Sequence, residues 1–168
     1  MHKNTEDIAK LKVRSNLSSM KPIKIFTLLT GIVWVVAVDF VLVHVFYEAN
    51  VFFLISAVLQ VVLTKLAIGI YLYQIVLIDQ VKVDEPVLST QKKLAGLQSS
   101  TLWVTRLLFL QFPLWTTFYW NKSMLENGNM FLYFIQAVVT ISFTLAAVWL
   151  FFNIKYENRN KKWFRLIF

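Results

Sequence analysis

Residues 51–78 read VFFLISAVLQVVLTKLAIGIYLYQIVLI, and this stretch decides the fold. Its 28 positions hold a single charged residue, Lys65. A helix needs about 20 mostly apolar residues to cross the hydrocarbon core of a bilayer, so this stretch is long enough to span one. Its apolar residues run continuously rather than alternating, which favours a membrane-spanning helix over a strand of a β-barrel.

Three further stretches have the same character, at residues 25–47, 101–120 and 130–152. Over the whole chain 58% of residues are hydrophobic, whereas soluble domains are about 45–50% apolar. The sequence therefore predicts an all-α, polytopic membrane protein, with a single transmembrane domain of four membrane-spanning helices.

The links between the spans predict how the chain is oriented. The first link, 48–50, and the third, 121–129, hold one basic residue between them, Lys122. The segments on the other side carry fourteen, namely Lys3, Lys10, Lys12, Arg14, Lys21, Lys24, Lys82, Lys92, Lys93, Lys155, Arg159, Lys161, Lys162 and Arg165. Cytoplasmic loops are enriched in Lys and Arg, so we expect both termini and the middle loop to face the cytoplasm.

The cytoplasmic side then consists of a basic juxtamembrane N-terminus (1–24), a hairpin (79–100) and a basic tail (153–168). The first apolar run is too long for a signal peptide, so we expect it to stay in the mature, multi-pass protein. The net charge is +8. We expect these cations to meet the anionic headgroups of the inner leaflet rather than nucleic acid.

The second and third spans are predicted to extend beyond the membrane. Apolar residues continue to Val81, and Asp84 is expected to cap a new helix with Pro86 in its first turn. From there we expect one helix to about Trp120, kinked or loosened at Pro113. Its length of about 50 Å exceeds a hydrocarbon core of about 30 Å, which predicts a cytosolic helical hairpin.

Three cytosolic segments are candidates for contacts outside the bilayer. Along the hairpin helix, Lys92, Lys93, Leu94 and Leu97 are candidates for binding a protein partner. The N-terminal stretch mixes basic and apolar residues and is predicted to lie as a surface helix on the inner leaflet. The tail has the same mixture, which indicates interfacial anchoring, with docking on a cytosolic protein as the alternative.

Ionisable residues at bilayer depth are costly and are candidates for functional sites. Asp39 and Lys65 qualify, as does His44 near the outer end of the first span. Counting inward from the outer end of each span places three amides at about the depth of Asp39. They are Gln60, Gln111 and Gln136.

This polar layer admits two interpretations. Amides and carboxylates hydrogen-bond across helices in membranes, so one interpretation is a clasp that holds the helices in register. Alternatively, Asp39 forms a proton or substrate site with His44 at its outer mouth. Lys65 is expected either to rise to Asp39 or to run towards the cytosol. Arg106 is expected to snorkel to the inner headgroups.

No catalytic signature is present. The chain contains no G-x-x-x-x-G-K-S/T loop, no H-E-x-x-H pair and no G-x-S-x-G elbow. It has no cysteine, and His44 has no second metal ligand at helical spacing. The sequence therefore predicts no enzyme activity, no metal and no cofactor.

Parts of the sequence form a familiar pattern, with YQIVLI at 73–78, EPVLSTQKKL at 85–94, and then Arg106 and Pro113. This pattern resembles uncharacterised four-span membrane proteins of the Bacteroidetes type, some of which are encoded near extracytoplasmic-function sigma factors. The resemblance covers mainly the middle and C-terminal two-thirds of the chain. It implies a regulatory, multi-pass protein of the bacterial inner membrane, with a cytosolic protein partner and no catalytic residue.

Two functional hypotheses follow. The first is a regulatory or scaffold protein that binds a cytosolic protein through the hairpin and the basic N-terminus. The second is a small transporter or channel subunit, working as a homo-oligomer, with Asp39 and Lys65 in its path. Four-span drug exporters of similar topology carry a carboxylate in their first span, but they lack this hairpin, so that likeness is architectural.

Overall fold

The computed structural model describes residues 2–81, 86–120 and 130–168. Within these ranges the chain forms helices and turns and contains no strand, which confirms the predicted all-α class for this part of the protein. The helices are α1 (His2–Val45), α2 (Val51–Asp79), α3 (Val87–Leu110), α4 (Phe112–Thr117), α5 (Met130–Asn153) and α6 (Lys162–Ile167), with a 3-10 turn at Tyr156–Asn158 between the last two.

Three helices are long and apolar enough to cross a membrane, which is typical of an integral membrane protein. They are α2, α5 and the Ser15–Val45 part of α1. They correspond to three of the four predicted spans, and the ends facing the predicted outer links agree within about two residues. The span predicted at 101–120 is not among the candidates found in the described ranges.

The prediction of one helix from about Pro86 to Trp120 is wrong, because the helix breaks at Gln111. At the break, the N–H of Gln111 donates to the carbonyl three residues earlier, and α4 then begins. Pro113 is the physical cause, since it has no N–H and its ring crowds the carbonyl four residues back. At the other end, Pro86 is the N-cap of α3, and the expected cap Asp84 lies outside the described residues.

The N-terminal stretch does not form a separate surface helix. α1 is one continuous helix of 44 residues, in which Pro22 lies without ending it. The residues predicted to form a surface helix are therefore the first part of the same helix that contains the first candidate span. At 1.5 Å per residue, α1 is about 66 Å long.

The helices pack in chain order. α1 packs on α2, and α2 packs on α3 and α4. Both α3 and α4 pack on α5. α1 and α2 lie close together at Gly31, where an added Cβ would lie 3.3 Å from Cγ1 of Ile68. Most large apolar side chains of α1, α2 and α5 point outward, which hydrocarbon surroundings accommodate because lipid tails are as apolar as leucine.

A small apolar cluster lies at one end of the molecule. It consists of Leu17 from α1, Ile78 and Val81 from the end of α2, and Leu97 from α3, with Leu94 packed against it. The cluster therefore joins three helices, α1, α2 and α3, at this end of the molecule.

The C-terminal segment returns to this same end. Phe164 of α6 is buried and lines a groove together with Leu17 and Leu97, and α6 also packs on α5 through a pair of tryptophans. We call this the tail end. The opposite end, where the side-chain amide of Asn50 donates to the carbonyl of Trp120 at 2.6 Å, is the turn end.

Candidate functional site

Asp39 and Lys65 form an ion pair between α1 and α2. Lys65 Nζ donates to Asp39 Oδ2 at 3.1 Å. Lys65 lies about four residues farther from the turn at Asn50 than Asp39 does, so its side chain extends by about one helical turn towards the turn end. Of the two directions expected for Lys65, the structure shows the one that leads to Asp39.

This pair lies on the lateral surface of the protein. The Asp39 side chain is 45% exposed and the Lys65 side chain 56% exposed. Both residues belong to helices that are candidate membrane spans. The pair is therefore not buried inside the protein, and both of its residues lie within helices that could cross a membrane.

His44 makes local contacts near the end of α1. Its Nδ1 lies 2.9 Å from the carbonyl oxygen of Phe40, and the two rings pack with centroids 4.1 Å apart. These contacts hold His44 on its own helix. In the described part of the chain, nothing brings it to the Asp39–Lys65 pair.

Two of the predicted amides make separate hydrogen bonds between helices. Gln111 Nε2 donates to Thr64 Oγ1 at 3.1 Å and ties the break between α3 and α4 to α2. Gln136 Nε2 donates to the carbonyl oxygen of Thr116 at 2.6 Å and ties α5 to α4. Bonds of this kind are what a clasp requires, but they are distributed over two places and do not include Asp39.

The third amide, Gln60, lines an aromatic cavity. The cavity measures about 450 Å³ and lies between α1, α2 and α4. Trp34 and Trp115 stand in its wall with ring centroids 5.8 Å apart, and Gln60 is only 2% exposed. It is the one amide in a lining that is otherwise apolar and aromatic and includes Tyr119, so the cavity suits a mostly apolar group with a few hydrogen-bonding atoms.

A buried polar connection near the tail end was not predicted. Lys24 Nζ donates to Gln74 Oε1 at 2.6 Å, and Gln74 Nε2 donates to Thr101 Oγ1 at 3.4 Å. Lys24 is 8% exposed and lies 5.5 Å from the centre of the Tyr71 ring. The sequence contained a signal for this contact. A short turn at Asn50 makes α1 and α2 antiparallel, and Lys24 and Gln74 lie about 25 residues before and after it, so they come to the same level.

The predicted partner-binding residues fall into two groups. Lys92 is exposed on α3, and Lys93 Nζ donates to the carbonyl oxygen of Gln80 at 2.5 Å. Leu97 is buried in the tail-end cluster, and Leu94 packs against that cluster. The two leucines therefore hold helices together, and of the predicted set Lys92 is the most open to a partner.

Arg106 has a more specific role than the expected reach to headgroups. Its Nε donates to the carbonyl oxygen of Ile154 at 2.8 Å, and its Nη2 donates to the same oxygen. The guanidinium also lies 4.9 Å from the centre of the Trp103 ring. Ile154 directly follows α5, so Arg106 places a cation at the negative end of that helix.

Comparisons with known proteins give no family for the chain. No family model, no curated protein and no solved structure matches it. The resemblance to four-span Bacteroidetes-type proteins therefore stays a prediction. In the residues that the structure describes, no group of three or more His, Cys, Asp or Glu side chains is placed to hold a metal ion.

Proposed function

We propose that this protein is a membrane-embedded regulatory or scaffold protein whose tail end binds a protein partner in the cytosol. In this proposal α3 and α4 together form a fourth crossing of a bacterial inner membrane, and both termini lie in the cytosol. The packing of α3 and α4 between α2 and α5 supports the crossing. The concentration of Lys and Arg in the termini and the middle loop supports the orientation.

The length of α1 is the observation that carries the proposal. Its 44 residues give about 66 Å, roughly twice the hydrocarbon thickness of about 30 Å. Among the side chains that the structure describes, Leu17 is the first of α1 to be buried. Residues 2–16, which we call the arm, continue the same helix, and those of their side chains that the structure describes are exposed.

The arm presents apolar side chains outside the packed protein. Ile8 and Leu11 are 64% and 54% exposed, and at a spacing of three residues they share one helix face. Leu88, at the start of α3, is also exposed at this end of the molecule. A helix with an apolar face that binds in a groove of another protein is a common mode of recognition, and the arm has this form.

Site-specific photo-cross-linking in cells tests the proposal. A photoreactive amino acid is placed at Ile8, Leu11 or Leu88, and at Tyr47 as a control that is 96% exposed at the turn end. We expect one protein adduct that is shared by the tail-end positions and missing at Tyr47. Leu11→Glu, which places a charge on the apolar face of the arm, should abolish the adduct formed from position 8. Adducts that are the same at all four positions, or none at the tail end, would reject the proposal.

The orientation has its own test, which uses the absence of cysteine from the chain. Tyr47→Cys and Leu166→Cys each introduce one highly exposed thiol, at the turn end and the tail end. In intact cells from which any outer membrane has been made permeable, a membrane-impermeant maleimide should label Tyr47→Cys. It should label Leu166→Cys only after the inner membrane is opened. The reverse pattern would place the arm outside the cytosol.

A transporter or channel subunit is the second candidate, and the contact between Lys65 and Asp39 is the observation that favours it. Charged pairs inside membranes often mark ion pathways. Proton flux into liposomes should then be present for the wild type and strongly reduced for Asp39→Asn. If neither protein carries flux above that of empty liposomes, this candidate is rejected.

A further inference from the structure

The depth of the Asp39–Lys65 pair is set by the helices that carry it. Asp39 lies six residues before the last residue of α1, which is about 9 Å along the axis. Lys65 is the middle residue of α2, with about 21 Å of helix on either side. Because Lys65 Nζ reaches Asp39 Oδ2, the contact itself lies at the depth of Asp39, about 9 Å from the end of α1 and inside both candidate spans.

The surroundings of the pair on this face are apolar. Phe40 beside Asp39 and Leu66 beside Lys65 are both more than half exposed, as is Val36 one turn along α1. Charged side chains at membrane depth almost always face other protein or water, because hydrocarbon offers them no hydrogen bonds. This face of α1 and α2 therefore needs a polar cover that lipid tails do not supply.

A groove begins at Lys65 on the same face. It measures about 480 Å³ and runs between α2 and α3, past Gly69, Gly96 and Ser99. A Cβ added at Gly69 would meet no atom within 4 Å, so the floor of the groove is open there. Small residues of this kind allow a helix from another protein to approach closely within a membrane.

We infer that a second copy of this chain covers the face, with its own Asp39 and Lys65 opposite those of the first. The charges argue for this occupant. In a two-fold dimer about an axis along the membrane normal, both copies present the same patch at the same depth. Each carboxylate then faces the ammonium of the other copy. The half-exposed pairs of the two copies are thereby joined into one group of four alternating charges. Such a dimer forms with or without the proposed cytosolic partner, because the two surfaces are separate.

A charge-exchange experiment tests the inference. Asp39→Lys gives a chain with two facing lysines, and Lys65→Asp gives a chain with two facing aspartates. Differently labelled copies are reconstituted in liposomes, and association is measured by energy transfer between the labels. We expect the wild type to associate, each variant alone to associate about tenfold less, and the mixture of the two variants to recover, because only the mixture pairs opposite charges.

Cross-linking with neutral substitutions covers the case in which a charge variant fails to insert. Leu66→Cys places the only thiol of the chain on this face, and Ile141→Cys places it at the middle of the exposed side of α5 as the matched control. A membrane-permeant bifunctional maleimide should give dimers of the first variant and not of the second. Equal dimer yields from both variants, association that ignores the charges, or rapid reaction of Leu66→Cys with a charged, impermeant thiol reagent would overturn the inference. The last result would mean that water covers the face.

Discussion

The α1–α2 hairpin and the helix α5 are both long and apolar, but they are held in different ways. Polar contacts join α1 to α2 at three levels along the hairpin, from Lys21 with Asp79, through Lys24 with Gln74, to Lys65 with Asp39. The turn at Asn50 sets the register for all three.

α5, in contrast, is held by contacts with several separate segments. Gln136 bonds to α4 near the turn end, Trp120 Nε1 donates to Thr140 Oγ1 at 3.3 Å near the middle of α5, and Arg106 of α3 binds the carbonyl of Ile154 at the tail end. Between them, Ala147 is the one residue of α5 that is buried. Helices in lipid have no hydrophobic driving force towards one another, so close packing and polar contacts together decide where each helix sits. The hairpin is therefore expected to behave as one rigid unit, and α5 as a helix that loosens locally when one of these contacts is lost.

The largest effect is expected from Gln74→Leu in the hairpin. Gln74 supplies the one carbonyl-type acceptor described for the buried Lys24 ammonium, and leucine leaves that ammonium without a hydrogen bond. Leaving a buried charge without its partner costs about 3 kcal/mol in the free energy of unfolding. Unfolding of the micelle-bound protein by denaturant, followed by circular dichroism, measures the loss.

The double variant Lys24→Met/Gln74→Leu is the control for that experiment. It removes both members of the contact and keeps side chains of similar length, so most of the lost stability should return. If the double variant is as unstable as Gln74→Leu alone, packing around Gln74 and not the contact with Lys24 is responsible. That result would weaken the view of the hairpin as a unit joined by polar contacts.

A smaller effect, about 2 kcal/mol, is expected from Arg106→Met at the tail end of α5. Methionine keeps much of the side-chain volume but leaves the buried Ile154 carbonyl without its donor. Hydrogen exchange should then increase from the end of α5 through 154–158 while α1 and α2 stay protected. Arg165→Gln, at an exposed position, should change neither stability nor exchange. Equal loss of protection in the hairpin would show that α5 and the hairpin unfold together.

The sequence predicted most of the fold because membrane spans depend on length and apolar content. The ends of α2 and α5 follow directly from where the apolar runs stop. The break at Gln111 was missed, although Pro113 was expected to disturb the helix, because composition does not show whether a proline bends a helix or divides it. The continuity of α1 was missed because a basic, amphipathic stretch can lie on a membrane or continue a span with the same residues.

Contacts between side chains were predicted less completely. Depth along a span can be counted from sequence, and this placed Lys65 within reach of Asp39. The direction in which a side chain points around the helix axis depends on which helices are neighbours, and one sequence does not give that. For this reason Gln111 and Gln136 were assigned to one layer with Asp39 but bind Thr64 and Thr116 instead. Leu97 was expected on a partner surface for the same reason, whereas it lies in the tail-end cluster.

The smallest expected effect compares Gly31→Ala with Gly69→Ala. Alanine is more favourable than glycine inside a helix by about 0.5–1 kcal/mol, so an unobstructed substitution should stabilise the protein by that amount. Gly69→Ala meets no atom within 4 Å and should show the gain, whereas Gly31→Ala brings its Cβ to 3.3 Å from Ile68 and should lose it. Denaturant unfolding in dilute micelles, where copies do not associate, measures both. Equal gains would mean that α1 and α2 can move apart at Gly31, so that their polar contacts hold the hairpin without close packing of the two backbones.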